Sequence, residues 1–453
     1  MIEIFVERAI SFGLWWGIWL MVPLLVDVST AVVYFVNFLS NRNRKEEKKE
    51  DLNYFPFVTV VIPVHNSAET LGQCLYSIAG QSYPSEHIQV ICVNNGSEDN
   101  SFDVFHRFQY EHPEMSVMWS SLDYAGKSIA LNAGMYAGEG SYMMNVDSDT
   151  WLDQDAIMNV VKTFEQDPTL AAATGSIRVD KKLGEGSSFM DMINYCEVIE
   201  YIVAFDIGRR YQDLKNSIFT LSGAFSIFRR DIILQSYLYQ TRTVSEDTDL
   251  TFNIRKAIED SGGRIGFIAD ALAYVEPIET LGRLYSQRLR WQRGEIEVTG
   301  VYYQKTPGIR EALFDFVGRI LISDHTLAFL RLAWTFLLPF LYFLGYALPT
   351  IVVALMGMFV CYFLLESCTF YIAYKGSTEE YQEELKRIWW IVFFMPIYRY
   401  LVYWFRLAGI IGVLTEEKSW KTENPVTQLQ SIVAASSQEL IENIKELRGR
   451  SKS

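Results

Sequence analysis

The sequence contains few cysteines and histidines, and the spacing of both residue types excludes several classes of protein. The five cysteines show no paired spacing of the kind found in metal-ribbon domains, and we interpret them as free thiols in a reducing compartment. The five histidines form no metal-binding pattern such as HExxH. A histidine-ligated zinc enzyme is therefore not expected.

Positive charge is also scarce. The formal net charge of −14 argues against a nucleic-acid partner, because proteins that follow a phosphate backbone normally carry a basic face. With 453 residues and a hydrophobic content of 50%, the chain is too long for one ordinary soluble core. We therefore expect two architectural units, a catalytic domain and a membrane part.

A long apolar segment near the N-terminus predicts a first membrane helix. Residues 13–39 are almost wholly apolar and exceed the roughly 20 residues that a helix needs to cross a bilayer. A signal peptide is the alternative, but the segment is longer than a typical h-region and lacks an A-x-A-like cleavage site. Asp27, inside the segment, is expected to face another helix or water. The charged run 41–50 follows, and its basic residues place the next part of the chain in the cytosol.

Two further apolar blocks lie in the C-terminal third of the chain. Residues 327–374 are long enough for two crossings, with a turn expected at Gly345 and Pro349. The block 388–414 is interrupted by one proline and two arginines, so we expect a broken, partly interfacial segment. The tail beyond it has the pattern of a surface or partner helix.

The middle of the chain has the pattern of an α/β domain. Between Phe57 and Tyr303, short β-branched runs alternate with helix-length amphipathic stretches, which is typical of βαβ units and a mainly parallel sheet. Strands are predicted at 58–63, 89–93 and 142–146. Ligands of open α/β sheets bind beyond the carboxyl ends of the strands, so we expect a nucleotide in the loops that follow them.

Two acidic motifs, one after a predicted strand and one before a predicted helix, have more than one interpretation. Asp147 and Asp149 come directly after a buried strand and can together hold a divalent cation, although such a pair is often only a turn. Glu246 and Asp247 precede an amphipathic helix. Taken alone, the segment 245–249 is an N-cap whose acidic residues complement the helix dipole, and the alternative is a general base.

The segment Gln287–Arg293 places three arginines and a tryptophan on about two helical turns of an acidic protein. One interpretation is a basic stripe that lies on anionic lipid headgroups. The other is a ligand site, because bidentate arginines suit a diphosphate and an indole face is a good stacking platform for a sugar ring.

Taken in order, these segments resemble the family-2 glycosyltransferases with a GT-A fold. The resemblance is closest to the processive membrane synthases of cellulose, chitin, hyaluronan and poly-N-acetylglucosamine, and it extends over about Val58 to Arg293. It depends on the motifs Val60-Val-Ile-Pro-Val-His-Asn66, Gly126-Lys127 with Ala130-Leu-Asn132, Asp147-Ser-Asp149, Ser222-Gly-Ala-Phe225, Ser245-Glu-Asp247 and Gln287-Arg-Leu-Arg-Trp291.

The resemblance implies a role for each motif. Asp147 and Asp149 would hold Mg²⁺ or Mn²⁺ against the diphosphate of a nucleotide-sugar donor, and Asp247, with Glu246 beside it, would be the catalytic base. The predicted nucleotide contacts are Pro63, His65, Asn66, Asn94, Asn95, Lys127, Asp147, Arg288 and Arg290. The predicted acceptor contacts are Ser222, Gly223, Phe225, Gln287 and Trp291.

The sequence departs from the family pattern at two positions. Many relatives have an aspartate pair after the second strand, whereas this chain has Asn94-Asn95, which can hydrogen-bond a uracil edge but brings no charge. The base motif begins with Ser245 instead of threonine, which keeps the hydroxyl group.

The predicted fold class is therefore α/β, with a GT-A nucleotide-diphospho-sugar transferase domain inserted between transmembrane helices. The expected organisation is an N-terminal transmembrane helix (1–41), a charged cytosolic linker (42–56), the GT-A domain (57–305), an interfacial amphipathic segment (306–326), two transmembrane helices (327–375), an interfacial or transmembrane segment (376–416) and a cytosolic tail helix (417–453).

The predicted function is an inverting transferase in the bacterial plasma membrane, with a cytosolic catalytic domain. It would use UDP-N-acetylglucosamine or UDP-glucose to extend a polysaccharide or lipid-linked acceptor, in contact with membrane lipids and with partner proteins of a polysaccharide export system. Two alternatives stay open. One is a single-sugar transferase that acts on a lipid carrier or glycolipid, and the other is a nucleotide-sugar-binding subunit without catalysis.

Overall fold

The computed structural model describes residues 51–122, 126–302 and 336–415, with isolated positions between residues 7 and 36. Those isolated positions are helical. Most of the predicted N-terminal helix, the linker up to residue 50, the segment 306–326 and the tail from residue 417 lie outside the described residues.

The domain is built on one mixed eight-stranded sheet with the strand order β3-β2-β1-β4-β7-β6-β8-β5. Its strands are β1 (Val58–Val64), β2 (Ile88–Asn94), β3 (Ser116–Ser121), β4 (Tyr142–Val146), β5 (Thr150–Leu152), β6 (Leu170–Val179), β7 (Phe225–Arg229) and β8 (Arg264–Val275). β1, β2, β3 and β4 are parallel, which confirms the βαβ prediction for this half. The other half differs from the prediction of parallel strands, because β7 runs antiparallel to both of its neighbours and β5 runs antiparallel to β8.

Helices cover both faces of the sheet. They are α1 (Leu71–Ala79), α2 (Ser101–Glu111), α3 (Lys127–Ala137), α4 (Ala156–Gln166), α5 (Phe189–Ile202), α6 (Gly208–Leu214), α7 (Arg230–Gln235), α8 (Glu246–Ala257) and α9 (Leu281–Tyr302), with a π-helical turn at Val203–Ile207 between α5 and α6. Alternate residues of β1 point into different cores: Val60 and Ile62 pack with α1, α2 and α4, and Val61 packs with α3. The fold is therefore a three-layer α/β domain.

Three helices follow in the C-terminal part: α10 (Leu348–Gly376), α11 (Glu379–Arg387) and α12 (Met395–Thr415). Within the described part of the chain, α10 is the one helix that is long and apolar enough to cross a membrane. A helical segment at 336–343 precedes it, and Gly345, with φ of 89°, lies in the turn between them as predicted, whereas Pro349 is the second residue of α10. Tyr362 of α10 donates a hydrogen bond to Asp27 at 3.2 Å, as expected for a polar residue that faces another helix.

The third apolar block is broken, as predicted, into a 3₁₀ helix at Trp389–Phe393 and helix α12. α12 packs against α9 so closely that a Cβ atom on Gly409 would lie 2.8 Å from the carbonyl oxygen of Leu289. Arg406 of α12 also donates a hydrogen bond to Gln292 of α9. The C-terminal helices are thus in direct contact with the α/β domain. Whether α12 lies at a membrane interface stays a prediction.

Candidate active site

Lys127 lies at the centre of the polar residues that follow the strands. Its ammonium nitrogen is 2.8 Å from Oδ1 and 3.0 Å from Oδ2 of Asp147, which follows β4. The same nitrogen lies 3.5 Å from Oε1 of Glu246, at the start of α8. One lysine therefore connects two acidic motifs that are about a hundred residues apart in the sequence.

Asp147 and Asp149 differ in their surroundings. Burial raises the pKa of Asp147 to about 6, and the Lys127 charge opposes this shift. Asp149 is exposed on the turn after β4. Ser148 between them lies 2.7 Å, oxygen to oxygen, from Ser67, and this contact fixes the turn to the loop that follows β1.

A divalent cation fits this pair only as a partial site. No group of three or more metal-binding side chains lies together within the described residues. Mg²⁺ commonly binds through one or two carboxylates, keeps several waters and shares the phosphate oxygens of the substrate. An exposed Asp149 next to Asp147 suits that kind of site. The assignment of both residues as metal ligands stays a prediction.

Asp247 has an oriented carboxylate at the start of α8. Its Oδ2 accepts a hydrogen bond from the Gly223 N–H at 3.2 Å, and its Oδ1 accepts one from the Thr248 N–H at 2.7 Å. Burial and the neighbouring Glu246 charge raise its pKa, while Lys127 opposes them. Ser245 occupies the N-cap position but makes no capping hydrogen bond with its side chain, so capping does not account for the motif.

The predicted nucleotide loops meet at the same edge of the sheet. Asn66, in the left-handed conformation with φ of 51°, accepts a hydrogen bond from the Glu98 N–H at 2.9 Å. Asn94 accepts one from the Ser97 N–H at 2.8 Å, and the side-chain oxygen of Asn95 accepts one from the Gly126 N–H.

The side-chain oxygens of Asn66, Asn94 and Asn95 therefore hold the loops in place. Sequence reasoning did not foresee this role. His65 is exposed, and its Nδ1 lies 3.0 Å from the carbonyl oxygen of Asn95. Pro63 is buried inside β1. The nucleotide contacts assigned to these loops stay predictions.

The predicted acceptor residues separate into two groups. Ser222 and Gly223 are half-buried next to Asp247, where an acceptor can approach the base. Phe225 is fully buried in the core below them, because it points inward at the start of β7. Its burial gives no support to the predicted acceptor contact, which stays a prediction.

Trp291 is partly buried in an aromatic cluster on α9. Its ring centroid lies 5.8 Å from that of Phe205 and 6.2 Å from that of Tyr201, and the Arg288 guanidinium lies 4.3 Å from its ring centroid. Phe205 belongs to the π-helical turn, a type of distortion that is frequent at functional sites. The cluster holds the indole ring from several sides.

Arg288 is buried in an ion pair next to Trp291. Its side chain is 2% exposed, and its Nη2 lies 2.7 Å from Oε2 of Glu200 and 3.4 Å from the hydroxyl of Tyr398. Gln287 accepts a further hydrogen bond from it. The guanidinium thus pairs with Glu200 and lies over the Trp291 ring, and its predicted diphosphate contact stays a prediction. Arg290 is half-buried, and its predicted diphosphate contact stays a prediction.

Sequence reasoning did not identify Glu197, Glu200 and Tyr398. Glu197 is 1% exposed and lies 3.9 Å from Arg288. Burial raises its pKa to about 7, and Arg288 opposes this shift. The signal available was two glutamates, three residues apart, in the mostly apolar stretch 193–202.

Comparisons with known proteins find relatives in sequence and in fold. Residues 59–235 match the model of glycosyl transferase family 2. The poly-β-1,6-N-acetyl-D-glucosamine synthase of Staphylococcus aureus (strain COL) is 30% identical over 253 residues, which are 55% of this chain and 58% of the relative. The synthase of the same name from Staphylococcus epidermidis (strain ATCC 35984) is 28% identical over 269 residues, which are 59% of this chain and 61% of the relative. The match thus spans less than two thirds of these relatives.

A solved structure supports the fold. The mannosyltransferase PcManGT from Pyrobaculum calidifontis, in complex with GDP-Man and Mn²⁺, superposes with a TM-score of 0.53 at 15% identity. The superposition covers 87% of this chain and 99% of that one, and it shows a GT-A-like fold. Residues 59–235 of this chain are thus similar to family-2 glycosyltransferases, the chain resembles the poly-N-acetylglucosamine synthases, and its fold is GT-A-like.

Proposed function

We propose that the protein is a membrane-bound inverting glycosyltransferase that uses UDP-N-acetylglucosamine or UDP-glucose to build an extracellular or cell-surface polysaccharide. One observation carries this proposal: Lys127 connects Asp147, beside the predicted donor loops, with the Glu246-Asp247 motif. The predicted donor end and the predicted base are thus parts of one site.

Asp247 is the proposed base. The acceptor hydroxyl attacks the anomeric carbon, its proton passes to the Asp247 carboxylate, and the bond from that carbon to the nucleoside diphosphate breaks. The Gly223 N–H fixes one oxygen of this carboxylate and the Thr248 N–H fixes the other. A raised pKa suits a proton acceptor, because it brings the proton affinity of the carboxylate closer to neutral pH.

Asp149, with Asp147, would hold Mg²⁺ or Mn²⁺ at the donor diphosphate. The cation would neutralise the charge that develops on the departing diphosphate. Lys127 contributes a fixed positive charge in the same region and keeps Asp147 turned toward the site. Trp291, held by its aromatic neighbours, is the proposed stacking platform for the acceptor sugar.

The membrane part of the proposal rests on α10 and on the sequence before the domain. α10 has a mean hydropathy of 2.3 over its most apolar 18-residue window and is mostly exposed. The basic residues of the charged run favour a cytosolic domain by the positive-inside rule. A bacterial plasma membrane location and partner proteins for export follow as parts of the same proposal.

The test is Asp247→Asn in the full chain, purified in detergent. We expect sugar incorporation and UDP release to fall by roughly 10²–10⁴-fold, the usual contribution of a general base. UDP binding, measured by calorimetry, should be retained. Asp260→Asn, which removes a charge from an exposed position after α8, is the control and should behave like the unmodified protein. An Asp247→Asn variant with full activity would refute the assignment.

Product length distinguishes polymer synthesis from the transfer of one sugar. The alternative is the transfer of a single sugar to a lipid carrier or glycolipid. A ladder of products on a gel supports a polymerising enzyme, whereas one added sugar supports the alternative. UDP binding without UDP release from any donor would instead support a non-catalytic subunit.

A further inference from the structure

Helix α9 carries the acceptor residue Trp291 and, one turn later, contacts the segment that leads into the base motif. We propose that Gly294 and Glu297 of α9 are positioning residues that fix Asp247 relative to Trp291. This inference rests on the proposed role of Asp247 as the base, and it assigns a second task to the helix that carries the acceptor platform.

Gly294 is required by a close approach. A Cβ atom at this position would lie 1.9 Å from Oγ, 2.5 Å from Cβ and 3.1 Å from the backbone nitrogen of Ser245. Distances this short mean that any larger residue displaces Ser245 or tilts α9. Ser245 directly precedes α8, and Asp247 is the second residue of that helix. A displacement of Ser245 therefore reaches the base within two residues.

Gly300, on the same helix, has different surroundings. A Cβ atom built there has no atom within 4 Å, and the residue is exposed. Replacing either glycine by alanine brings the same change in helix propensity. A difference between the two substitutions therefore reports the contact with Ser245.

Glu297 makes a second contact with the same segment. Its Oε2 accepts a hydrogen bond from the Val244 N–H at 3.0 Å, and its Oε1 accepts one from Arg293 Nε at 2.8 Å. The side chains of Arg293 and Glu297 are 1% and 6% exposed. A buried ion pair contributes little net stability after its desolvation cost, but it holds its partners in one geometry. Here it aims the Glu297 carboxylate at the backbone of the base segment.

The spacing along α9 connects these contacts to the acceptor. Trp291, Gly294 and Glu297 follow one another at intervals of three residues, so each is a neighbour of the next on the helix surface, about 4.5 Å further along the axis and about 60° around it. The distance between the acceptor platform and the base is therefore set by a single helix. Misplacement of a reacting group by about 1 Å can cost roughly 10²-fold in rate.

The experiment compares Gly294→Ala with Gly300→Ala in the full chain in detergent. Gly294→Ala should lower kcat by roughly 10²-fold while the KM for the donor changes by less than about threefold. Gly300→Ala should keep both constants. Adding Ser245→Gly to Gly294→Ala removes the two closest atoms and should restore most of kcat. A misfolded fraction would also lower kcat at unchanged donor KM and respond to the second substitution, so kcat is expressed per UDP-binding site titrated by calorimetry.

Glu297→Ala and Glu297→Gln provide a test that does not depend on Gly294. The alanine variant loses the hydrogen bond to Val244 and should lose kcat at unchanged donor KM, whereas glutamine keeps an acceptor oxygen and should retain more activity. Equal kcat in Gly294→Ala and Gly300→Ala overturns the inference. So does unchanged kcat in Glu297→Ala, or a failure of Ser245→Gly to restore activity. Full activity in Asp247→Asn would instead refute the proposed function itself.

Discussion

Replacing Glu197 by glutamine should change how the stability of the domain depends on pH. The Glu197 side chain is almost fully buried, accepts a hydrogen bond from the Ile278 N–H at 3.2 Å and lies 3.9 Å from Arg288. Burial raises its pKa from 4.5 to about 7, with Arg288 acting in the opposite direction. Glutamine imitates the protonated acid, because it keeps the oxygen acceptor and carries no charge.

The sign follows from proton binding. Between pH 4.5 and about 7, the folded state holds a proton on Glu197 that the unfolded chain has released. The free energy of unfolding therefore falls as pH rises through this window and is constant with respect to this group above it. The shift corresponds to about 3 kcal/mol, at about 1.4 kcal/mol per pKa unit. Glutamine does not titrate, so the free energy of unfolding of Glu197→Gln does not fall for this reason as pH rises.

The assay is the melting temperature of the purified protein in detergent at pH 5 and pH 8. From pH 5 to pH 8, the melting temperature of Glu197→Gln should rise relative to that of the unmodified protein, by roughly 2–4 °C for each kcal/mol of stability that the unmodified protein loses. Glu139→Gln, at an exposed position, is the control and should show no such gain. If Glu197→Gln and the unmodified protein show the same change between pH 5 and pH 8, the reasoning is refuted.

Two further predictions concern the metal and the support of Arg288. Asp149→Asn should raise the Mn²⁺ concentration needed for half-maximal UDP release by about tenfold or more. An excess of chelator should stop UDP release by the unmodified protein. An unchanged Mn²⁺ requirement in Asp149→Asn would exclude Asp149 as a ligand. Tyr398→Phe removes a hydroxyl that donates to Glu200 at 2.6 Å and should lower the free energy of unfolding by about 1–3 kcal/mol in denaturant titrations. Tyr371→Phe, at an exposed ring, should have little effect, and equal stability of the two variants would contradict the burial argument.

The parallel half of the sheet and the position of the polar loops follow from local sequence pattern. Runs of β-branched residues separated by amphipathic helices predicted β1, β2 and β4, and parallel strands end at the same edge of a sheet. The antiparallel insertion of β7 did not follow. Its partners β4 and β6 are remote in sequence, and no short hairpin turn indicates the pairing.

Two residues of the predicted site have surroundings that their motifs do not indicate. Arg288 was assigned to the donor because a cation in a motif suggests an anionic ligand, and the structure pairs it with Glu200, on a helix with no local relation to it. Phe225 was assigned to the acceptor because of its motif, and the structure buries it together with the next three residues of β7. Burial is decided by contacts between distant segments, and neither motif contains that information.

The contact between α9 and α12 has a practical consequence for anyone who wishes to express the α/β domain alone. A protein that ends after Tyr302 would lose Tyr398, which holds Glu200 and Arg288, and Arg406, which holds Gln292. The side of α9 that Gly409 now covers would face water. The smallest unit that keeps Trp291 in place thus includes α12, so trimming for solubility would remove part of what shapes the acceptor end.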